Sequence, residues 1–257
     1  MKKSDSDKTG RGAALSENYS DNVKLLTELL RSEQSFDMLT KTLTLSDGEL
    51  TLFFIDGFAK DTVLQKLMMH FLSLKKLPRG AVEFMQGCLP YIETDVCRDV
   101  ENMVQMVMSG GTLVLGSSFG AEAILLDTRT YPARDTSEPE GDRVMQGARD
   151  GFVETLVMNT ALIRRRIRDP RLTMEHFSMG GASDTDVVLC YVKGLAKEED
   201  VENVRQRLRE AKPKSLTLGY QSLAELMIGK GWLNPFPKIR TTERPDTASA
   251  QLLEGSV

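Results

Sequence analysis

Two twelve-residue stretches of this chain, LTLFFIDGFAKD (Leu50–Asp61) and VVLCYVKGLAKE (Val187–Glu198), match position for position. Phe54 aligns with Tyr191, Ile55 with Val192, Gly57 with Gly194, Ala59 with Ala196 and Lys60 with Lys197. Each stretch reads as an apolar strand that breaks at a glycine and runs into a helix, and each follows another strand-like run. A hairpin-to-helix unit repeated on either side of a charged segment points to two related α/β subdomains, each a small mixed sheet with helices packed on it, with an α+β arrangement as the variant. The competing reading is two unrelated strand-to-helix turns that both need glycine.

The rest of the pattern fills in around that repeat. Residues 1–20 lack periodicity and read as a flexible tail. From Asp21, Val23, Leu25, Leu26, Leu29 and Leu30 have helical spacing. SFDMLTKTLTL and ELTLFFIDGF form a hairpin about Ser46–Asp47–Gly48. KDTVLQKLMMHFLSLKKL, AVEFMQGCL and DVENMVQMVMSGG predict helices, and TLVLG and AEAILLDTR predict paired strands. The segment 131–150 is rich in turn residues and charge and reads as a linker, its charged core at 136–150. The expected organisation is therefore a first subdomain over 21–135 and a second over 151–257. The second opens with the helix GFVETLVMNTALIRRRI, then the strands LTMEHFSMG and TDVVLCYVKG, then the helix KEEDVENVRQRLREA. It continues with SLTLGY, a helix around SLAELMI and a Pro-rich stretch, GWLNPFPKIRTTERP, and ends at LLEGSV in what reads as the start of another strand.

Composition removes several function classes. A net charge of −4 over 257 residues argues against nucleic acid as the main partner, because phosphate binding needs a surplus of Lys and Arg. Cys88, Cys97 and Cys190 are an odd, widely spaced set that fits a reducing compartment better than a disulfide framework. No window reaches the roughly 20 apolar residues that span a bilayer, and the first residues do not form a secretory apolar region.

Catalytic patterns are thin. Gly116–Ser117–Ser118–Phe119–Gly120 spells G-x-S-x-G, with Asp127 and His176 following in hydrolase order. The residues after it look like a second hairpin strand rather than the helix such a site needs, and no oxyanion segment precedes it. The two histidines and three cysteines have no metal-ligand spacing, and no phosphate-binding glycine motif is present. The chain is expected to be no enzyme and to hold neither metal nor cofactor. His70 reads as a packed residue of a Met- and Leu-rich helix, and Cys190 as a small buried hydrophobe. The thirteen methionines are mostly adaptable core filler, or else an exposed face for a partner.

The basic run is the feature with functional content. Arg164, Arg165, Arg166, Arg168 and Arg171 crowd the end of one helix, with Arg143 and Arg149 upstream. The helix dipole favours cations there by about 0.3–1 kcal/mol each, which accounts for two or three of them but not seven. Exposed like charges repel, so some of them are expected to pair with acids across a subdomain or subunit interface, ahead of anionic lipid headgroups.

GDRVMQGARDGFVETLVMNTALIRRRIRDPRL followed by TDVVLCYVKGLA, and the ending NPFPKIRTTERPDTASAQLLEG, resemble the spore germinant receptor A-subunit family. IDGFAKD, ARDGFVETL and GYQSLAELM are most similar to its stage V sporulation protein AF branch. The chain departs from the family at Gln146–Gly147–Ala148–Arg149 and at Gly180–Gly181–Ala182–Ser183. The resemblance implies the N-terminal cytoplasmic domain of a spore inner-membrane protein, on the core side, with the membrane spans absent. It implies assembly with other germination subunits or with copies of itself, and relay of the germination signal to an ion-conducting membrane part. The candidate interaction residues are the seven arginines together with Glu243 and Arg244. The alternative function is a small-molecule sensor with a ligand cleft between the subdomains, and a serine hydrolase stands third.

Overall fold

The computed structural model describes residues 12–59, 61–129, 150–179, 185–210, 223–224 and 239–257. The tail up to residue 11, Lys60, the charged segment 130–149, SLTLGY and most of SLAELMI lie outside the described residues, as do Arg143 and Arg149. The chain divides into two compact units, Met1–Ala133 with Arg168–Pro170, and Arg134–Ile167 with Arg171–Val257.

In the first unit, α1 (Tyr19–Leu30) is capped by Asn18, whose side chain accepts from the Ser20 N–H. The strands β1 (Met38–Leu45) and β2 (Gly48–Ile55) pair from Met38↔Ile55 to Leu45↔Gly48, and Asp47 in their turn accepts the Leu77 N–H at 2.9 and 3.0 Å. Then come α2 (Asp61–Ser73), α3 (Ala81–Cys88), β3 (Thr94–Cys97), α4 (Val100–Met108), β4 (Thr112–Gly116) and β5 (Ala123–Leu126). The sheet order is β1-β2-β4-β5-β3, with every pairing antiparallel. Every residue of β4 and β5 is buried, so their apolar runs are continuous rather than alternating. Phe71, Phe84 and Phe119 stack tilted at 5.5 and 5.2 Å between ring centres, joining α2 and α3 to the β4–β5 turn. The four-residue β3 is not legible from TDVC alone, because its pairing with β5 creates it.

In the second unit, α5 (Leu156–Arg166) precedes the hairpin β6 (Leu172–Met179) and β7 (Thr185–Val192), then α6 (Glu198–Glu210) and α7 (Pro245–Leu253). Helix α5 starts later than GFVETL predicts. Asn159 accepts the Val153 N–H at 2.7 Å and donates to the Val153 carbonyl at 2.6 Å, which holds 150–153 out of the helix. Helix α7 starts at the last proline of the expected Pro-rich stretch, whose residues 231–238 lie outside the described residues, and takes Leu252 and Leu253 from the expected strand: Pro245 sits in its first turn and Gly255 just past its end, where each residue suits a helix terminus.

The repeat seen in sequence is deeper in structure. Asp56 N–H donates to the Asp37 carbonyl at 2.8 Å, and Lys193 N–H at the matching position donates to the Arg171 carbonyl at 2.9 Å. Gly57 and Gly194 turn the chain with φ of 79° and 84°. Helices α2 and α6 follow, each of 13 residues, packed on β1 and β6 respectively. Helices α4 and α7 are each nine residues long. Both end in the same cap: Gly110 bonds to Val107 O and Gly111 to Met106 O, as Gly255 does to Leu252 O and Ser256 to Gln251 O. Gly110 and Gly255 carry φ of 97° and 92°. Helix α4 packs on α1 and β2, and α7 on α5 and β7. Little sequence similarity survives between α4 and α7; the shared cap and shared packing carry the likeness.

Candidate functional site: the arginine-rich end of α5

Helix α5 is covered along the run from Thr160 to Arg164, where Thr160, Ala161, Leu162, Ile163 and Arg164 are all buried. Three arginines occupy its last turn and serve three purposes. Arg164 is 1% exposed and donates from Nη2 to the Leu172 carbonyl at 3.0 Å. Arg165 is exposed. Arg166 grips Asp150 through one terminal nitrogen, 2.6 Å from each carboxylate oxygen, and donates to the Leu162 carbonyl at 3.2 Å.

The N-terminus of α7 adds the second half of the cluster. Arg244, 8% exposed, turns its guanidinium onto Asp246, and Asp246 also accepts the Thr247 N–H at 2.7 Å. The Arg244 hydrogen bonds hold the Asp246 carboxyl below the usual carboxylate range, and Arg166 adds to the effect. Glu243 is exposed, and its carbonyl accepts the Phe152 N–H at 2.9 Å, tying the approach to α5 to the approach to α7. Asp150, Arg164, Arg166, Arg244 and Asp246 thus form charge pairs and hydrogen bonds inside the second unit.

Two of the run are thus engaged inside the second unit: Arg166 meets Asp150 there, and Arg164 is committed to the interior. Arg168 and Arg171 are exposed; Arg168 reaches Ser109 Oγ at 3.5 Å within the first unit, and the Arg171 carbonyl accepts from Lys193. Among the described candidate residues, Arg165, Arg168, Arg171 and Glu243 are exposed.

A second polar cluster escaped the sequence reading. Arg205 on α6 clasps Glu175 on β6, with Nε–Oε2 at 2.8 Å and Nη2–Oε1 at 2.6 Å, and Tyr191 on β7 donates to Glu175 at 2.8 Å. The matching positions of the first unit are Lys41, Phe54 and Met68, of which Phe54 and Met68 pack on the apolar core. The arginine bonds hold the Glu175 carboxyl below its ordinary value of 4.5, while burial pushes the Tyr191 hydroxyl up. A carboxyl that is more acidic in the folded than in the unfolded state stabilises the fold above its ordinary value. That contribution is lost as pH falls through the depressed folded value. In acid titrations followed by circular dichroism, Glu175→Gln is expected to flatten the stability loss below pH 4.5 and to lower stability at neutral pH.

The hydrolase pattern is a structural turn. Ser118 donates its hydroxyl to the Pro78 carbonyl at 2.6 Å, and Ser117 Oγ accepts the Glu49 N–H at 3.0 Å, so both serines lock the β4–β5 turn. Asp127 is bound to Arg129, and His176 lies 2.8 Å from Asp186 across the β6–β7 hairpin. His70 meets the Cys88 carbonyl at 2.8 Å, in keeping with a packing role, and Cys190 is half-buried. Among the methionines, Met103 and Met108 are core, while Met69 is 64% exposed. Among the described residues, no cluster of three or more His, Cys, Asp or Glu could hold a metal, and no helix is long and apolar enough to cross a membrane.

Residues 24–257 match the family described as Bacillus/Clostridium GerA spore germination protein. Stage V sporulation protein AF of Bacillus subtilis (strain 168) is 34% identical over 228 residues, covering 87% of this chain and 45% of that protein. Spore germination protein B1 of the same organism is 28% identical over 87% of this chain and 47% of its own length. The chain spans just under half the length of these relatives. The crystal structure of the N-terminal domain of the A subunit of the Bacillus megaterium spore germinant receptor GerK3 shares the fold, with a TM-score of 0.65 at 22% identity, covering 95% of this chain and 90% of that one. The chain belongs to the GerA family of spore germination proteins.

Proposed function

We propose that this chain is the N-terminal, cytoplasmic domain of a spore inner-membrane germination protein, placed on the core side. It does no chemistry: it holds germination subunits, or copies of its own protein, in register and relays their state to an ion-conducting membrane part. The observation that carries this reading is the family match across residues 24–257. The two most catalysis-like serines are spent on a turn, and the relatives are about twice as long, one of them bearing the name of an uncharacterized membrane protein, YfkQ.

The structure selects the residues for the test. Arg164 and Arg166 are structural, so charge reversal there would damage the fold. Arg165 and Arg171 are exposed and flank the same helix end and strand start. Arg165→Glu with Arg171→Glu, placed in the full-length protein in a sporulating host, is expected to slow germination several-fold while the protein reaches the spore membrane at normal levels. Germination at the normal rate would remove this surface from the mechanism. If deletion of residues 21–257 also leaves germination unchanged while the remainder still arrives, the relay reading fails.

A further inference from the structure

We propose that the outer edge of β7 is an acceptor for a third, antiparallel strand, supplied in cis by the residues after Val257 in a chain carried past that position. The first unit shows the completed arrangement. There α4 ends at Gly110–Gly111 and the chain passes at once into β4, which lies along β2 with Phe53↔Leu113, Leu52↔Val114, Thr51↔Leu115 and Leu50↔Gly116. The second unit repeats each part that delivers this strand. The helix of nine residues, its packing on the hairpin strand, the two cap hydrogen bonds and the left-handed glycine all recur in α7 and Gly255. Val257 stands where Thr112 opens β4.

Burial marks the place to be filled. Leu50, Thr51, Leu52 and Phe53 are all sealed beneath their neighbours. At the matching positions of β7, only Leu189 is buried, while Val187, Val188 and Cys190 stay half-exposed. Among the described residues, β7 pairs with β6 alone. Transferring the β2–β4 register sets the first residue after Val257 opposite Cys190, and the next three opposite Leu189, Val188 and Val187. Those partners are apolar, so the strand that fits is short and apolar, as LVLG of β4 is.

The prediction is tested by appending Leu-Val-Leu-Gly, the sequence of Leu113–Gly116, after Val257, with a Ser-Gly-Ser-Gly extension as control. In a species shown to be monomeric by light scattering, amide exchange in Val187–Cys190 is expected to slow at least about tenfold, because the new ladder ties up backbone N–H groups. Unchanged exchange overturns the proposal. Slowing that appears only in a dimer, or equally with free Leu-Val-Leu-Gly peptide, overturns the assignment in cis. A Cys-Val-Leu-Gly extension gives an independent reading of register, since facing cysteines on paired strands lie within disulfide reach. Mild oxidation is expected to join the new cysteine to Cys190 within one chain, and peptide mapping that finds no such link refutes the register.

Discussion

Arg164→Ala is expected to destabilise the second unit by about 3–5 kcal/mol, measured by urea unfolding with a probe in that unit. The side chain is among the largest of the fully buried ones, so truncation leaves a cavity costing about 2–5 kcal/mol. It also strips the Leu172 carbonyl of a donor at the first residue of β6, which adds about 1–3 kcal/mol for a buried acceptor left unmade. The two costs overlap, because water admitted to the cavity can satisfy the carbonyl. Arg164→Lys should recover only part of the loss, since an ammonium on a thinner stem fills less volume and lacks the planar fork. Arg165→Ala, one residue along and exposed, should change stability by less than about 0.5 kcal/mol. Equal effects at the two positions would mean that the buried arginine has no structural role.

Phe84→Ala is the corresponding change in the first unit, with an expected loss of about 3–5 kcal/mol. Phe84 is fully buried and lies between Phe71 and Phe119 in the ring stack. Its removal breaks both ring contacts and detaches the eight-residue α3, a helix too short to persist without its apolar face. Phe84→Leu should cost markedly less because it refills most of the volume. Thermal unfolding of both variants distinguishes loss of volume from loss of ring geometry. If Leu proves as damaging as Ala, the stacked rings matter beyond the space they fill.

Much of this architecture could be read along the chain. The hairpins at Ser46–Asp47 and in front of Gly194 rest on local chemistry, as do α2 and α6. Apolar strands, turn residues and a left-handed glycine act within a few residues of one another. The β4–β5 hairpin was legible too, with Ser117 and Ser118 in its turn, whereas their bonds to Glu49 and Pro78 come from residues that folding brings near. What escaped were elements whose making is non-local. β3 exists because β5 offers it an edge, and α7 begins at a proline that local reading took for a break.

The arginine run shows the same division at the candidate site. Sequence counts charges but does not say which way they face. Ala161, Arg164 and Ile167 recur every three residues along one helical face, a spacing that hints at burial, yet charge made the surface the natural expectation for Arg164. Only the fold supplies the Leu172 carbonyl and carries Asp150 to Arg166. By itself, then, the sequence determined the repeated hairpin-to-helix unit and the family, because both are written in contiguous residues. The tertiary structure alone decided which arginines are structural, since the compensation that lets a charge leave water comes from residues brought close by folding.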